Sequence, residues 1–254
     1  MSFKRQLLVT STLTLAEMKA RYRNTLAGVL WVMLNPLIMF AVQALIFKYI
    51  LRIDIERYFI FLLSGLLPWI FIDNTISQSV HAFITMRESL LSFQIHPMSI
   101  ILSKTLDQFI NFILPFILLF FYLRQTEDYN IYGILFLPVA LIILLVGTFA
   151  FTLFLANLQV FLRDTQYISN FMLSILFFLT PIFYPRHMLP AEYQVFVDLN
   201  PFYNLIYPFK VCLWQFNSSD LYTALVNGAA VTSICVALAL VFWRWTRNEF
   251  YINI

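Results

Sequence analysis

Residues Tyr132–Leu158 read YGILFLPVALIILLVGTFAFTLFLANL. No charge interrupts the run, and its apolar residues do not alternate with polar ones. About 20 mostly apolar residues suffice for a helix to cross a bilayer, and this run exceeds that. A transmembrane β-strand would show strict alternation instead. Five further runs of the same kind flank it: Trp31–Leu51, Tyr58–Val80 and Ile100–Leu123 before, Tyr167–Tyr184 and Leu221–Trp243 after. Across all 254 residues, 61% are hydrophobic and 11% charged, with a mean hydropathy of +0.80. Soluble domains carry about 25% charged residues, so this chain lacks the polar surface to face water. The expectation is an all-α integral membrane protein with six transmembrane helices in a single domain, residues 1–254.

The same composition excludes several functions. A net charge of +3, scattered along the chain, makes no nucleic-acid footprint. Cys212 and Cys235 stand outside any CxxC or Cys/His cluster and read as buried apolar thiols. His81, His96 and His187 are too far apart in sequence to suggest a metal site. No phosphate-binding GxxxxGK[ST] loop, HExxH or GxSxG motif occurs. The chain by itself is expected to hydrolyse nothing and to hold no cofactor. Asp164 beside Arg163 reads as a loop ion pair.

Residues 1–30 carry Lys4, Arg5, Lys19, Arg21 and Arg23 and lack a signal-peptide core. On a helical projection Phe3, Leu7, Leu8, Leu15, Met18, Tyr22 and Leu26 fall on one side and most charges on the other, as in a helix lying in the membrane interface. A helix packed on a soluble partner is the alternative. Basic residues ahead of the first span place the N-terminus in the cytoplasm, and six spans return the C-terminus there. The stretch 81–99, HAFITMRESLLSFQIHPMS, is too polar to span and too apolar for a plain loop. Met86–Phe93 is expected to form a short amphipathic helix, stopped near Pro97. Residues 185–220, broken by Pro190, Pro201 and Pro208, are expected as short re-entrant helices in the outer leaflet.

Polar residues inside spans are costly and face protein or water. Lys104, Asp107, Gln108 and Asn111 stand at i, i+3, i+4 and i+7, one stripe on a helix, where Lys104 can pair with Asp107. The stripe suits a pore wall, a subunit contact or an interhelical network. Asn35 and Gln43 share a face of the first span, Thr148, Thr152 and Gln159 one of the fourth, and Asn170 and Ser174 one of the fifth. The interior is therefore expected to be partly polar, but without the ionisable chain of a proton relay. Aromatic residues reach 18%, with 28 Phe; they serve either as lipid-facing bulk or as the lining of an aromatic path.

Three blocks resemble a known family. They are Arg21-Tyr22-Arg23-Asn24-Thr25-Leu26-Ala27-Gly28-Val29-Leu30-Trp31 followed by Asn35-Pro36-Leu37; Phe161-Leu162-Arg163-Asp164; and Thr180-Pro181-Ile182-Phe183-Tyr184-Pro185 with Leu189-Pro190 and Asn200-Pro201. In this order they resemble the type 2 ABC transporter permeases for polysaccharides, with Ala27 where that family more often has Leu. The resemblance implies the membrane subunit of an exporter of O-antigen, capsular polysaccharide or teichoic acid on a lipid carrier. It implies a homodimer in the inner membrane with two copies of a separate nucleotide-binding subunit that holds ATP and Mg. Arg21, Tyr22 and Arg23 would then belong to the interface helix. Met86, Arg87, Glu88, Leu91, Phe93, His96 and Pro97 would couple to the ATPase, and residues 185–220 would form an outer gate hairpin. Trp31, Asn35, Phe40, Gln43 and Phe47 on span one, with Phe171, Ser174, Phe178 and Tyr184 on span five, would line the polysaccharide path. The alternatives are a permease of the same family exporting a small hydrophobic compound or drug, an integral-membrane enzyme acting on lipid-linked sugars, and a secondary transporter.

Overall fold

The computed structural model describes residues 3–22, 38, 42, 45–46, 55–93, 95–126 and 129–254. Apart from residues 38, 42 and 45–46, the first span therefore lies outside the described residues, and with it Arg23, Trp31, Asn35, Phe40, Gln43 and Phe47. Ten α-helices are described: α1 (Phe3–Tyr22), α2 (Tyr58–Ser79), α3 (Ala82–Thr85), α4 (Arg87–Phe93), α5 (Pro97–Thr126), α6 (Ile131–Phe161), α7 (Thr165–Leu179), α8 (Ala191–Asp198), α9 (Pro201–Leu213) and α10 (Ser218–Asn253). No strand occurs among the described residues. Among the described residues four helices, α2, α5, α6 and α10, are long and apolar enough to cross a membrane.

Helix α2 is the axis of the bundle. Its apolar window is 78% buried against 17% for α10, because α5, α6, α7 and α9 all pack on it. Its Phe61, Phe71, Ile72 and Ile76 are sealed inside. In lipid this burial gains packing rather than water exclusion, so shape complementarity decides it. Gly65 shows how close the fit is: a Cβ there would stand 2.6 Å from Cε of Lys210 on α9. At Gly133 on α6 a Cβ would collide with the backbone carbonyl of Cys212.

Three helices begin on asparagine caps: those of α6 and α10 at one end of the bundle, where α9 finishes beside Gly133, and that of α9 deeper, where Phe202 meets Phe151 of α6. Asn130 accepts from Tyr132 N–H at 2.9 Å, Asn200 from Phe202 N–H at 3.0 Å, and Asn217 from Ser219 N–H at 3.1 Å. Each satisfies a backbone donor that the first helical turn leaves without a partner. At the opposite end α10 runs ten residues past the expected Trp243, and Phe250 packs on Phe83 of α3 at 5.2 Å between ring centroids.

The fold departs from the sequence expectation in four places. The fifth span stops at Leu179 rather than Tyr184, because Pro181 drives Thr180 out of the helical region (ψ 128). Tyr184 is therefore off the helix, where its hydroxyl donates to the Phe178 carbonyl at 3.0 Å. The outer stretch divides in two. Helix α8 exposes Tyr193, Val195 and Phe196, whereas α9 is buried among α2, α6 and α10 and forms part of the core. Helix α1 packs on α5 through Thr10 and Thr14, which are buried, and leaves Leu7, Leu8 and Leu15 outward. Lys104 pairs with Glu17 of α1 at 2.8 Å; a carboxylate on the neighbouring helix, rather than the one on its own, takes the ammonium.

Candidate functional site

At the end of the bundle where α2 finishes, the chain turns through α3 and α4. Leu90 is 1% exposed and roots α4 in a cluster with Phe83, Ile100 and Phe250. On the other side of α4, Leu91 is 47% and Phe93 69% exposed. Arg87 and Glu88 are exposed at its first turn, Met86 and His96 are half-buried, and Pro97 is buried as the first residue of α5. Burial holds the His96 imidazole below its ordinary value, and its Nδ1 accepts from Met98 N–H at 3.3 Å. The segment is thus anchored by one row of side chains and leaves another exposed.

Beside it lies the turn Phe161-Leu162-Arg163-Asp164. Gln159, 2% exposed, closes this turn: its Nε2 donates to the Arg163 carbonyl at 2.9 Å, and its Oε1 accepts from Gln166 N–H at 2.7 Å. The side chains of Arg163 and Asp164 are left outside, where both line a cavity of about 420 Å³ with His81 and Arg87. The ion pair expected between them is absent among the described residues: a turn held through its backbone does not require their side chains to meet.

Helix α7 leads from this turn into the bundle and stops near the depth of Trp69 of α2, whose ring lies 5.6 Å from that of Phe177. It buries a narrow row, Thr165, Ser169 and Leu173, against the bundle. Phe171, Ser174 and Phe178 stand at i, i+3 and i+7 on an exposed face, with Phe171 at 63% and Phe178 at 65%. On the polar stripe of α5, Lys104 reaches α1, and Gln108 Nε2 donates to Gln78 Oε1 of α2 at 2.7 Å. These two members tie α5 to its neighbours.

Where α7 ends, two prolyl motifs meet. Asn200 donates its Nδ2–H to Thr180 Oγ1 at 2.8 Å while capping α9. Lys210, 5% exposed, donates to the Pro181 carbonyl and to that of Ile182 at 3.1 Å, and its ammonium sits 3.7 Å from the centre of the Phe61 ring. These carbonyls belong to non-helical backbone, which can lie at membrane depth only when protein groups satisfy it. Arg186 closes the hairpin with a two-pronged bond to Asp198 at 2.6 and 2.7 Å, and that bond holds its guanidinium above the usual value. Nothing in the sequence reading singled out Lys210. The available signal was one cation within an otherwise apolar helix, Phe202–Leu213.

The sequence pattern of the ABC-2 type transporter domain matches residues 9–214. The chain belongs to the ABC-2 type transporter family. Several relatives resemble it over most of its length. The O-antigen export system permease protein RfbA of Myxococcus xanthus is 29% identical over 236 residues, covering 92% of this chain and 90% of that protein. RfbA of Klebsiella pneumoniae is 28% identical over 199 residues, 76% of this chain and 75% of its own. The polysialic acid transport protein KpsM of Escherichia coli is 24% identical over 208 residues, 80% of each chain. As an ABC-2 transporter the chain is a multi-pass membrane transport subunit. Among the described residues no group of three His, Cys, Asp or Glu could hold a metal ion. The ABC-2 domain match spans the α3–α4 turn, the open face of α7 and the prolyl junction alike.

Proposed function

We infer that this chain is the membrane subunit of an ATP-driven exporter that moves a lipid-linked polysaccharide of the O-antigen kind across the inner membrane. The observation that carries this reading is the likeness over nine-tenths of both chains to a permease named for O-antigen export. The likeness to a polysialic acid transport protein supports polysaccharide as the class of cargo. Two copies of the chain pair, with both termini in the cytoplasm, and each engages a separate nucleotide-binding subunit. ATP and Mg²⁺ are held on that subunit, and hydrolysis takes place there.

In this reading Leu91 and Phe93 fill a cleft of the ATPase, with Arg87 and Glu88 setting the orientation of α4. Because Leu90 is rooted among Phe83, Ile100 and Phe250, a push on α4 is delivered to α5 and α10. Phe171, Ser174 and Phe178 face the second copy and border the path together with span one. A sugar polymer is long and variable, so its path must hold it firmly enough to admit it and weakly enough to release it. Flat apolar rings cover a sugar face without fixing its hydroxyl pattern, and Ser174 adds a wet contact between them. Residues 185–220 form the outer closure, pinned by Lys210 and by the Asn200–Thr180 bond. Small hydrophobic cargo, or enzymatic action on lipid-linked sugars, has no counterpart in the names of the relatives above.

Deletion of the gene tests the reading. Surface polysaccharide should disappear and lipid-linked polymer should accumulate on the cytoplasmic side, with the intact gene restoring export. An unchanged surface polymer in the deletion strain would sink it.

A further inference from the structure

At the end of the bundle opposite the α3–α4 turn, a cavity of about 340 Å³ opens between α9, the start of α10 and the turn Pro181–His187. It falls at the small end of ligand pockets, which run from about 300 to 1,000 Å³, and so takes a short piece of ligand rather than a coil of polymer. Its lining includes five aromatic rings, those of Phe61, Tyr203, Tyr207, Trp214 and Phe216. Tyr203 and Tyr207 are stacked, with centroids 5.1 Å apart and planes 27° from parallel.

These rings are fixed before any ligand arrives. Trp214 Nε1 donates to the Glu56 carbonyl at 2.7 Å, its own carbonyl accepts from Arg57, and its ring meets Phe61 edge-on at 4.8 Å. Phe216 stacks on Tyr132 at 6.2 Å. Tyr203 is 5% exposed. Rigid aromatic surface costs little ordering entropy when it binds.

The polar groups of the lining divide into spent and unspent. Lys210 is committed to the carbonyls of Pro181 and Ile182, and Arg186 to Asp198. His187, Gln215, Asp220 and the hydroxyls of Tyr203 and Tyr207 line the same cavity, and none of these side chains has a hydrogen-bond partner among the described residues. Planar donors and acceptors around an aromatic floor match one class of ligand. A pyranose ring has an apolar face of C–H groups for the rings and a rim of hydroxyls for the amide, imidazole and carboxylate. A lipid tail would leave the polar rim without partners, at a cost for every group it desolvates. The unspent full charge is the Asp220 carboxylate, while both nearby cations are already paired or committed. That balance disfavours phosphate or an acidic sugar and favours a neutral one, whose neighbouring hydroxyls can both donate to the carboxylate.

We propose that this cavity is a carbohydrate site that takes a neutral pyranose unit of the glycan as it leaves the permease. The inference rests on the export reading above and names the release-side contact of that same cargo. The site holds the emerging chain by one unit at a time, and release follows as the next unit arrives.

The permease together with its ATPase, in lipid nanodiscs, is examined by saturation-transfer NMR. The probe is polysaccharide freed from its lipid by mild acid and harvested from the strain that carries the gene, with inorganic phosphate and glucuronate as comparison ligands. Saturation should pass to ring protons of the neutral units and not to glucuronate. Asp220→Asn and Tyr207→Ala should each weaken binding about tenfold, the loss expected for one charged hydrogen bond or one aromatic contact. Asp220 is exposed, so Asp220→Asn leaves the fold intact even if Tyr207→Ala lowers the yield. Equal binding by wild type and Asp220→Asn overturns the proposal, as does wild-type protein that exports polymer but gives no saturation transfer. Loss of the glycan signal on adding phosphate, or saturation of glucuronate in place of the glycan, overturns it as well. If deletion of the gene leaves surface polymer unchanged, the export reading itself falls; if deletion abolishes it while both variants bind as wild type, only the cavity assignment falls.

Discussion

The bond between Asn200 and Thr180 joins two sequence motifs twenty residues apart, and its energy is open to measurement. Asn200→Ala removes the α9 cap, at about 1 kcal/mol, and the donor to Thr180 Oγ1, at about 1 kcal/mol for a neutral buried hydrogen bond. Thr180→Val keeps the shape of the side chain and removes both this acceptor and the hydroxyl's own donation to the Leu176 carbonyl at 2.6 Å, together about 2 kcal/mol. Thr180 is 0% and Asn200 6% exposed, so water does not replace either partner. The single losses sum to about 4 kcal/mol, but the shared bond can be lost only once. The double variant should therefore lose about 3 kcal/mol, a coupling of about 1 kcal/mol. Polar pairs in membrane proteins average about 0.6 kcal/mol, which sets the lower end. Reversible unfolding in mixtures of mild and denaturing detergent reads all four stabilities. Additivity within about 0.3 kcal/mol would refute the argument that this bond holds the end of α7 to the start of α9.

Replacing both Leu91 and Phe93 with Asp should leave the bundle folded, since both side chains are exposed; ATP hydrolysis should then proceed without export, and normal export with a co-purifying ATPase would contradict the assignment. Cysteines at Asn35 and Ser174, in a background without Cys212 and Cys235, should crosslink between two copies, whereas a monomeric mass without crosslinks would remove the dimer. Phe178→Ala should slow export more than it lowers folded protein, because a ring 65% exposed contributes little packing within one chain; equal losses would return it to packing. The folded chain holds His96 below its ordinary value, so the unfolded chain takes up the proton first. Stability should be full above about pH 6.5, fall as pH drops through that value, and level off below the lowered folded value. His96→Gln should flatten this dependence in unfolding midpoints measured from pH 8 to 5.

The spanning helices were legible because lipid demands long apolar runs, and α2, α5, α6 and α10 each contain one. The α3–α4 turn was legible from its mixed polarity, and α4 spans most of the expected Met86–Phe93. What escaped depends on partners distant in sequence. Thr10 and Thr14 read as polar, yet their small hydroxyls let α1 approach α5, where Thr14 Oγ1 lies 3.4 Å from the Ser103 carbonyl. Lys104 had Asp107 at helical spacing, but Glu17 arrives from 87 positions away. Helix α9 carries prolines and tyrosines that resemble a membrane-surface segment; only the closeness of α2, α6 and α10 makes it core. Lys210 is meaningful only once Pro181 and Ile182 present carbonyls that lack helical donors.

Fifteen residues give α7 a length of about 22 Å at 1.5 Å per residue, against a hydrocarbon thickness of about 30 Å. A short apolar helix at a lipid boundary draws the two leaflets together, at fractions of a kcal/mol per Å of mismatch. Around α7 the bilayer should be thinned by up to about 8 Å, with compressed and disordered acyl chains. Thicker, stiffer membranes should therefore oppose this fold, and lipids with shorter chains should favour it.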